Sequence, residues 1–175
     1  MTHDHHDPTR PGHHDPTRPG HHDPTRPGHG TTIRRAGIDD LDALVEMHHA
    51  FCELDQHPFD EQRALVAFSG LLTGDDRGVV WIVDRPAAYA VVTWGWSIEA
   101  GGLEAVLDEV FASEPGGGIG GQLIDHLVDD GRRRGLARIF LETETHNDRA
   151  RRLYARHGFI EDDSIWMSLE FTDLS

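Results

Sequence analysis

The hydrophobic pattern after residue 30 changes several times between the spacing of a strand and that of a helix. Residues 31–35 form a short β-prone opening, and the apolar positions that follow recur every three or four residues, as on one face of a helix. These positions are Leu41, Leu44, Val45, Ala50 and Phe51. Asp39 or Asp40 can cap this helix, and a second helix is predicted over 60–72.

Three strands are predicted next. Two apolar runs, 79–83 and 87–96, are separated by a polar turn at 84–86, which indicates an antiparallel hairpin. A pair of glycines then precedes a third strand over 104–112. The first half of the domain is therefore predicted to contain a strand, two helices and an antiparallel meander.

The second half begins with a glycine-rich segment at 116–121 that leads into a helix ending at Gly135. A strand over 137–143, a helix over 147–157 and a final strand over 164–171 follow. This order predicts one α/β domain, a mixed sheet that is mostly antiparallel in its N-terminal strands and has helices on both faces.

The first 30 residues differ from the rest, so the domain is expected to span 31–175. Residues 5–28 are three copies of His-His-Asp-Pro-Thr-Arg-Pro-Gly, which contain no aliphatic or aromatic residue for a core. A disordered tail is therefore predicted. Its imidazoles and carboxylates can ligate a divalent metal, and the alternative is a duplicated repeat without a function.

Charge and cysteine content restrict the partners. The chain has 31 acidic and 16 basic residues, the latter all arginine, for a formal net charge of −15. Such a surface disfavours nucleic acid and anionic membranes and favours cationic acceptors. We expect a soluble, cytoplasmic protein, because the chain has a single cysteine, Cys52, and shows neither a long apolar run nor a signal-peptide pattern.

The glycine-rich segment has the composition of a turn that binds phosphate at the start of a helix. A nucleoside-triphosphatase loop would end in Gly-Lys-Ser/Thr, but Gln122 and Leu123 follow the glycines here. A dinucleotide-binding loop would belong to repeated parallel βαβ units, whereas the preceding strands form a meander. The sequence therefore argues against both of these nucleotide-binding classes.

Two motifs give the chain a more specific resemblance. Leu-Asp-Glu-Val-Phe-Ala at 107–112 is followed by Gly-Ile-Gly-Gly-Gln-Leu at 118–123, and 147–159 read Asn-Asp-Arg-Ala-Arg-Arg-Leu-Tyr-Ala-Arg-His-Gly-Phe. With these motifs in this order, residues 31–172 resemble the GNAT superfamily of N-acetyltransferases. The resemblance implies the GNAT acyl-CoA N-acyltransferase fold and transfer of an acetyl group from acetyl-CoA to a primary amine, with no metal required for catalysis.

The resemblance also implies site residues. Tyr154 matches the tyrosine that protonates the leaving thiolate in the family, and Asn147 matches an asparagine that contacts pantetheine or caps its helix. The residues implied to bind coenzyme A are Val110, Phe111, Ala112, Gly116, Gly117, Gly118, Ile119, Gly120, Gly121, Asn147 and Arg149.

A catalytic base must take a proton from the ammonium acceptor, and a carboxylate on the strand beside the thioester suits this role. Asp108 and Glu109 are both candidates, and only one of them can point into the acceptor site because successive strand residues face opposite sides. Glu99, His49 and His57 are further candidates for lining that site. The identity of the acceptor and homodimerisation are left open.

The glycine-rich segment at 116–121 and the residues before it depart from the family pattern at one point. The family places Arg or Gln before the glycines, where the side chain meets the pyrophosphate, but Glu114 and Pro115 stand here and the loop is about two residues shorter. The alternative function is therefore a catalytically weakened GNAT-fold module for binding or regulation, with a metal-binding His-rich tail.

Overall fold

A computed structural model describes residues 31–85, 87–169 and 171. The predictions of a disordered tail and of metal binding by its repeats concern residues outside the described part. None of the helices in that part is long and apolar enough to cross a membrane.

The described chain forms a five-stranded sheet in the order β1-β2-β3-β4-β5. The strands are β1 (Arg34–Arg35), β2 (Gly78–Val83), β3 (Ala88–Ser97), β4 (Gly102–Ala112) and β5 (Arg138–Leu141). Neighbouring strands are antiparallel from β1 to β4, whereas β5 runs parallel to β4. The predicted hairpin and meander are confirmed, and the parallel step requires a crossover, which α3 provides.

Four helices cover the sheet: α1 (Leu41–Asp55), α2 (Glu61–Leu72), α3 (Ile119–Arg134) and α4 (Asp148–Arg156). The first two pack on one face in a core that contains Leu44, Phe68, Tyr89 and Phe111. On the other face, Leu123 and Ile124 of α3 pack with residues such as Leu107, and α4 adds Leu153 and Tyr154. The prediction of a mixed sheet with helices on both faces is therefore confirmed.

The N-termini of α1 and α2 are capped differently. Asp60 caps α2 by accepting a 3.0 Å hydrogen bond from the backbone N–H of Arg63. Asp40 stands at the N-cap position of α1, but its side chain does not cap that helix. Its carboxylate instead accepts hydrogen bonds from the Arg34 guanidinium and from the backbone N–H of Gly37. Asp39 and Asp40 were the alternatives predicted as the cap of α1, and the Asp40 side chain does not fill that role.

The prediction of a final strand over 164–171 is also wrong. The described residues of this segment form no strand in the structure, although apolar residues stand at every second position from 165 to 171. Alternation shows which side chains a strand would bury, but a strand forms only where an edge pairs with it. In the described chain, nothing pairs with the outer edge of β5.

Candidate active site

A β-bulge in β4 separates the two carboxylates that the sequence left as alternatives. Val91 of β3 pairs with Glu109, and Val92 pairs with Leu107, so that Asp108 is an extra residue between the two pairs. A bulge leaves its extra residue unpaired and turns the neighbouring side chains in new directions. Asp108 is exposed, whereas the Glu109 side chain is only 13% exposed and lies on the face of the sheet that α1 covers.

Glu109 is held by a histidine of α1. The Nδ1 atom of His48 lies 3.0 Å from Oε1 of Glu109 and 3.5 Å from the hydroxyl oxygen of Tyr89. The Nε2 atom of the same ring lies 3.6 Å from Sγ of Cys52. When Nδ1 carries the proton, His48 donates to the Glu109 carboxylate, and its Nε2 can accept the weak hydrogen bond of the thiol.

Apolar surroundings determine the electrostatics of this group. The His48 ring lies within about 6 Å, between ring centroids, of Phe51, Phe59 and Phe68. Burial raises the pKa of Glu109, and the hydrogen bond from His48 opposes this effect without cancelling it. A carboxylate with a raised pKa is a stronger base than one in water.

Cys52 is a buried residue on the same helix, one turn after His48. Burial raises the pKa of its thiol, and the negative charges of Glu109 and Asp55 add to the increase. The thiol form is therefore favoured, and the thiolate needed for nucleophilic attack is disfavoured. Cys52 packs against His48 as a small, weakly polar residue.

Sequence reasoning did not identify His48, although a signal was present. His48 lies four residues from both Leu44 and Cys52, so it occupies the apolar stripe of α1, and both of these neighbours are buried. The histidines that were chosen, His49 and His57, have side chains that are 53% and 63% exposed. Glu99 is also exposed and pairs with Arg138.

The glycines of the glycine-rich segment have two different structural roles. Gly116 and Gly118 have φ angles of 98° and 85°, which other L-residues adopt only with strain. Because Gly118 is the N-cap residue of α3, no N-cap side chain occupies the first amides of that helix. A helix start with free amides can bind a phosphate group.

Gly120 and Gly121 instead lie against α4. A Cβ atom added to Gly120 would lie 3.7 Å from Leu153, and one on Gly121 would lie 3.4 Å from the ring of His157. Helices α3 and α4 are also joined by a 2.8 Å hydrogen bond between His157 and Asp125. Small residues at these two positions therefore allow α3 and α4 to pack closely.

Tyr154 lies on α4 and packs in a T-shaped arrangement against Phe159, with 5.8 Å between the ring centroids. Burial and the negative charge of Glu144 raise the pKa of its hydroxyl. At the start of the same helix, Asn147 accepts a hydrogen bond of 3.0 Å from the backbone N–H of Ala150. The structure thus shows Asn147 as a helix cap and keeps Tyr154 protonated near neutral pH.

The remaining residues predicted to contact coenzyme A lie around the same elements. On β4, Val110 and Ala112 pack with the core on the α3 side, whereas Phe111 packs on the α1 side. Arg149 is exposed in the first turn of α4. Arg151, two residues later, is occupied by its pairs with Asp148 and Glu161.

A cavity of about 360 Å³ opens between α1 and the sheet. Its walls include Met47 and Ala50 of α1 and Phe111 of β4, and the acidic residues Glu46 and Asp84 also line it. The Asp84 carboxylate accepts a 2.9 Å hydrogen bond from Arg34. Phe111 is two residues after Glu109 on the same strand and face. The cavity therefore provides an apolar surface with negative charge beside the strand that carries Glu109.

Comparisons with solved structures agree with this architecture. An integron cassette protein from the mobile metagenome of Cole Harbour Salt Marsh is 26% identical, with a TM-score of 0.70 over 79% of this chain and 89% of that one. A possible acetyltransferase from Clostridium difficile 630 is 19% identical, with a TM-score of 0.71 over 80% and 97%. The aminoglycoside N-acetyltransferase AAC(6')-Iy in complex with CoA is 18% identical, with a TM-score of 0.64 over 80% and 94%.

The comparison with curated proteins finds no match. The model of the acetyltransferase (GNAT) family matches residues 41–159, which include the bulged strand, the glycine-rich turn and the helix that carries Tyr154. The chain therefore belongs to the acetyltransferase (GNAT) family.

Proposed function

We propose that the protein is an N-acetyltransferase that moves an acetyl group from acetyl-CoA to a primary amine by direct transfer. The observation that carries the proposal is the pair formed by His48 and Glu109, with a 3.0 Å contact at the bulge of β4. A largely buried carboxylate that is fixed by a hydrogen bond, two residues along β4 from Phe111 of the cavity wall, is suited to remove a proton from an acceptor.

Glu109 is the general base in this proposal. An ammonium group cannot attack a carbonyl carbon until it loses a proton, and the raised pKa of Glu109 makes its carboxylate an effective proton acceptor. His48 is a positioning residue, because it contacts Glu109 and fixes the direction of the carboxylate. Asp108 is exposed at the bulge and takes no part in the proton transfer.

Tyr154 is the general acid. Acetyl-CoA supplies the acetyl group as an activated thioester. Glu109 takes one proton from the ammonium group before attack and later releases it to solvent. As the neutral amine forms the C–N bond and the C–S bond breaks, the nitrogen loses its second proton to solvent, which later reprotonates the tyrosinate, and the Tyr154 hydroxyl donates its proton to the sulfur. The raised pKa of Tyr154 keeps this proton in place until it is needed.

The glycine-rich turn fits the pyrophosphate of acetyl-CoA through its backbone rather than through a side chain. Gly118 leaves the first amides of α3 free, and Arg149 adds an exposed positive charge on α4. Glu114, exposed in the preceding turn, opposes the negative charge of the ligand. The first amides of α3 and Arg149 therefore suit the pyrophosphate, whereas the charge of Glu114 is unfavourable to it.

The cavity beside Phe111 suggests the chemical class of the acceptor. Its apolar wall suits a hydrocarbon body, and Glu46 favours a positively charged amine, whereas the Asp84 carboxylate is already paired with Arg34. The net charge of −15 favours the approach of cations in general. We expect the acceptor to be a small amine or the N-terminal amine of a peptide, with an apolar part next to the amine. We expect the protein to meet this acceptor in the cytoplasm.

A second candidate is a non-catalytic module that keeps the fold. The observation in its favour is Glu114, which stands where the family has a residue that contacts the pyrophosphate. In this case the binding of acetyl-CoA would be weak and the acidic cavity would serve recognition alone.

Calorimetric titration of acetyl-CoA into the full-length chain, followed by a free-thiol assay with a panel of amines, distinguishes the two candidates. Micromolar binding together with amine-dependent release of coenzyme A supports the enzyme. Binding without release by any amine, or no binding at millimolar acetyl-CoA, contradicts the proposal and favours the non-catalytic module.

A further inference from the structure

The contact between α3 and β2 contains two buried nitrogen atoms that have no hydrogen-bond partner within the described residues. His126 of α3 and Trp81 of β2 meet in a T-shaped arrangement, with 4.3 Å between the ring centroids. The two atoms are Nε2 of His126 and Nε1 of Trp81. Because buried polar groups are nearly always hydrogen-bonded, an unpartnered pair of this kind is unusual.

His126 occupies the face of α3 that packs on the sheet. It follows Leu123 by three residues and Ile119 by seven, and both of these residues are buried. Positions three, four and seven apart lie on one side of a helix. The imidazole is therefore held between the helix and the sheet. A protonated imidazole carries N–H on both nitrogens, so protonation would leave a buried N–H at Nε2 without an acceptor.

The carboxylates near His126 on α3 are already paired. Asp129 and Asp130 form ion pairs with the arginines at 132–134, at distances of 2.6 to 3.3 Å. Burial lowers the pKa of His126 and the charge of Arg133 lowers it further, while the two carboxylates oppose this change without cancelling it. The neutral imidazole is therefore the form that suits this contact.

The elements next to α3 bring charged groups that are also engaged. On the sheet, Arg35 of β1 lies directly opposite Trp81, so the two side chains share one face, and the guanidinium pairs with Asp75. From α4, His157 approaches α3 and is bound to Asp125. An indole N–H and a guanidinium are donors only, so neither can accept a hydrogen bond from a protonated imidazole.

We propose that the contact between His126 and Trp81 makes the packing of α3 on the sheet sensitive to acid. The neutral ring packs on the indole, whereas a protonated ring places an uncompensated charge between helix and sheet, so α3 loosens. Helix α3 begins at Ile119 with the amides that suit a phosphate group, so its loosening would also disturb that turn. The consequence for acetyl-CoA rests on the proposed function, whereas the effect on packing does not.

The direction of the pH effect follows from the lowered pKa of His126. A histidine whose pKa is lower in the folded than in the unfolded chain contributes stability that is present above the unfolded value, near 6.5. This stability is lost as the pH falls from there toward the folded pKa. One pH unit below the unfolded value, the unfolding equilibrium constant can rise by up to about tenfold.

Urea unfolding of the full-length chain at about pH 7.5 and pH 5.5 tests the proposal. Between these values the unfolding equilibrium constant of wild type should rise about three- to tenfold more than that of His126→Leu, which cannot titrate. His126→Gln is a second variant that should behave like His126→Leu. His146→Leu is the matched control, because it makes the same change at an exposed histidine before α4, and it should follow wild type.

Hydrogen exchange localises the effect. In wild type, the protection of amides at 123–131 should fall on acidification by more than the protection of β2, and it should not do so in the His126 variants. Equal pH responses of wild type and both His126 variants overturn the proposal, as does a loss of protection shared equally by α3 and β2. A control variant that loses the pH response overturns it too.

Titration of the His126 ring by NMR gives a test that needs no variant. The ring should stay neutral in the folded wild type at pH 6.5, and a folded chain in which it titrates at or above this value overturns the proposal. Acetyl-CoA titration at the same pH values separates this proposal from the proposed function. A pH response of stability without any binding of acetyl-CoA contradicts the enzyme and still supports the role of His126.

Discussion

The Nδ1 atom of His48 lies 3.0 Å from Oε1 of Glu109 and thereby joins α1 to the bulge of β4 across 61 positions of sequence. The contact places the base candidate at the boundary between the helical layer and the sheet. It also makes the ionisation of Glu109 depend on a residue from a different element, because the hydrogen bond lowers a pKa that burial raises.

Replacing Glu109 by Gln should lower kcat/KM for the amine by about 10² to 10⁴, because the amide cannot accept the proton of the ammonium group. The wild-type rate should fall as pH decreases through the raised pKa of Glu109, since only the ionised form is a base. This fall of the rate at low pH, the acid limb of the pH–rate profile, should be missing in the variant. Initial rates measured between pH 4.5 and 9 with saturating acetyl-CoA test the prediction.

Asp108→Asn is the matched control, since it makes the same change at the adjacent, exposed residue of the bulge. Its rate should stay within about threefold of wild type, with the acid limb kept. If Asp108→Asn abolishes activity while Glu109→Gln does not, the base is Asp108 and our assignment fails.

Replacing His48 by Leu should move the acid limb to higher pH. The hydrogen bond and the charge of His48 lower the pKa of Glu109, so their loss leaves the effect of burial unopposed. Above this limb the rate should recover to within about tenfold of wild type. His48→Asn, whose amide nitrogen can replace Nδ1 as a donor, should return the limb toward its original position. A purely structural role would lower the rate of the Leu variant without moving the limb.

The elements of the domain could be predicted from sequence because each has a local cause. Asp60 and Asn147 cap their helices as side chains of this type commonly do, and the hairpin of β2 and β3 follows from two apolar runs around a polar turn. The final strand could not be predicted correctly, because its formation depends on a partner edge that no local pattern reveals.

The sequence offered candidate residues for the site but not the contacts between them. The choice between Asp108 and Glu109 depends on a bulge, and a bulge reverses the alternation on which the sequence argument relied. The sequence analysis named His49 and His57 but not His48, because a polar residue within the apolar stripe of α1 was not weighed against its buried neighbours Leu44 and Cys52. Glycines that bind a ligand and glycines that allow helices to pack also look alike in sequence.

Replacing Tyr154 by Phe should lower kcat by about 10 to 10² and leave the dissociation constant of acetyl-CoA within about twofold of wild type. The ring and its packing on Phe159 are kept, and only the proton donor is lost. The raised pKa of Tyr154 also predicts no alkaline loss of the wild-type rate below about pH 10. Paired calorimetry and rate measurements separate the two effects. Equal losses in binding and turnover would remove Tyr154 from the role of general acid.

Replacing Gly118 by Ala should weaken acetyl-CoA binding about five- to tenfold. Its φ of 85° costs an alanine on the order of 1 kcal/mol, which disturbs the turn that presents the first amides of α3. Gly117→Ala is the control, because a Cβ atom there would lie 3.5 Å from the Glu114 carbonyl oxygen, an ordinary contact. Titration of both variants with acetyl-CoA tests the prediction, and equal affinities would show that the turn does not set the binding geometry.

Replacing Asp40 by Asn should lower the free energy of unfolding by about 1 kcal/mol at pH 7. Two hydrogen bonds from Arg34, at 2.7 and 2.8 Å, and one from the N–H of Gly37 hold the pKa of this carboxyl below its usual value. A lowered pKa contributes stability that is present above the unfolded pKa, near 4, and is lost as pH falls through the folded pKa. The difference in the free energy of unfolding between wild type and variant should therefore shrink below about pH 4.

Urea unfolding at pH 7, 4 and 3 measures this change in the free energy of unfolding for Asp40→Asn, with exposed Asp39 replaced by Asn as the control. A difference that stays constant over this range would show that the carboxylate charge does not stabilise the start of α1.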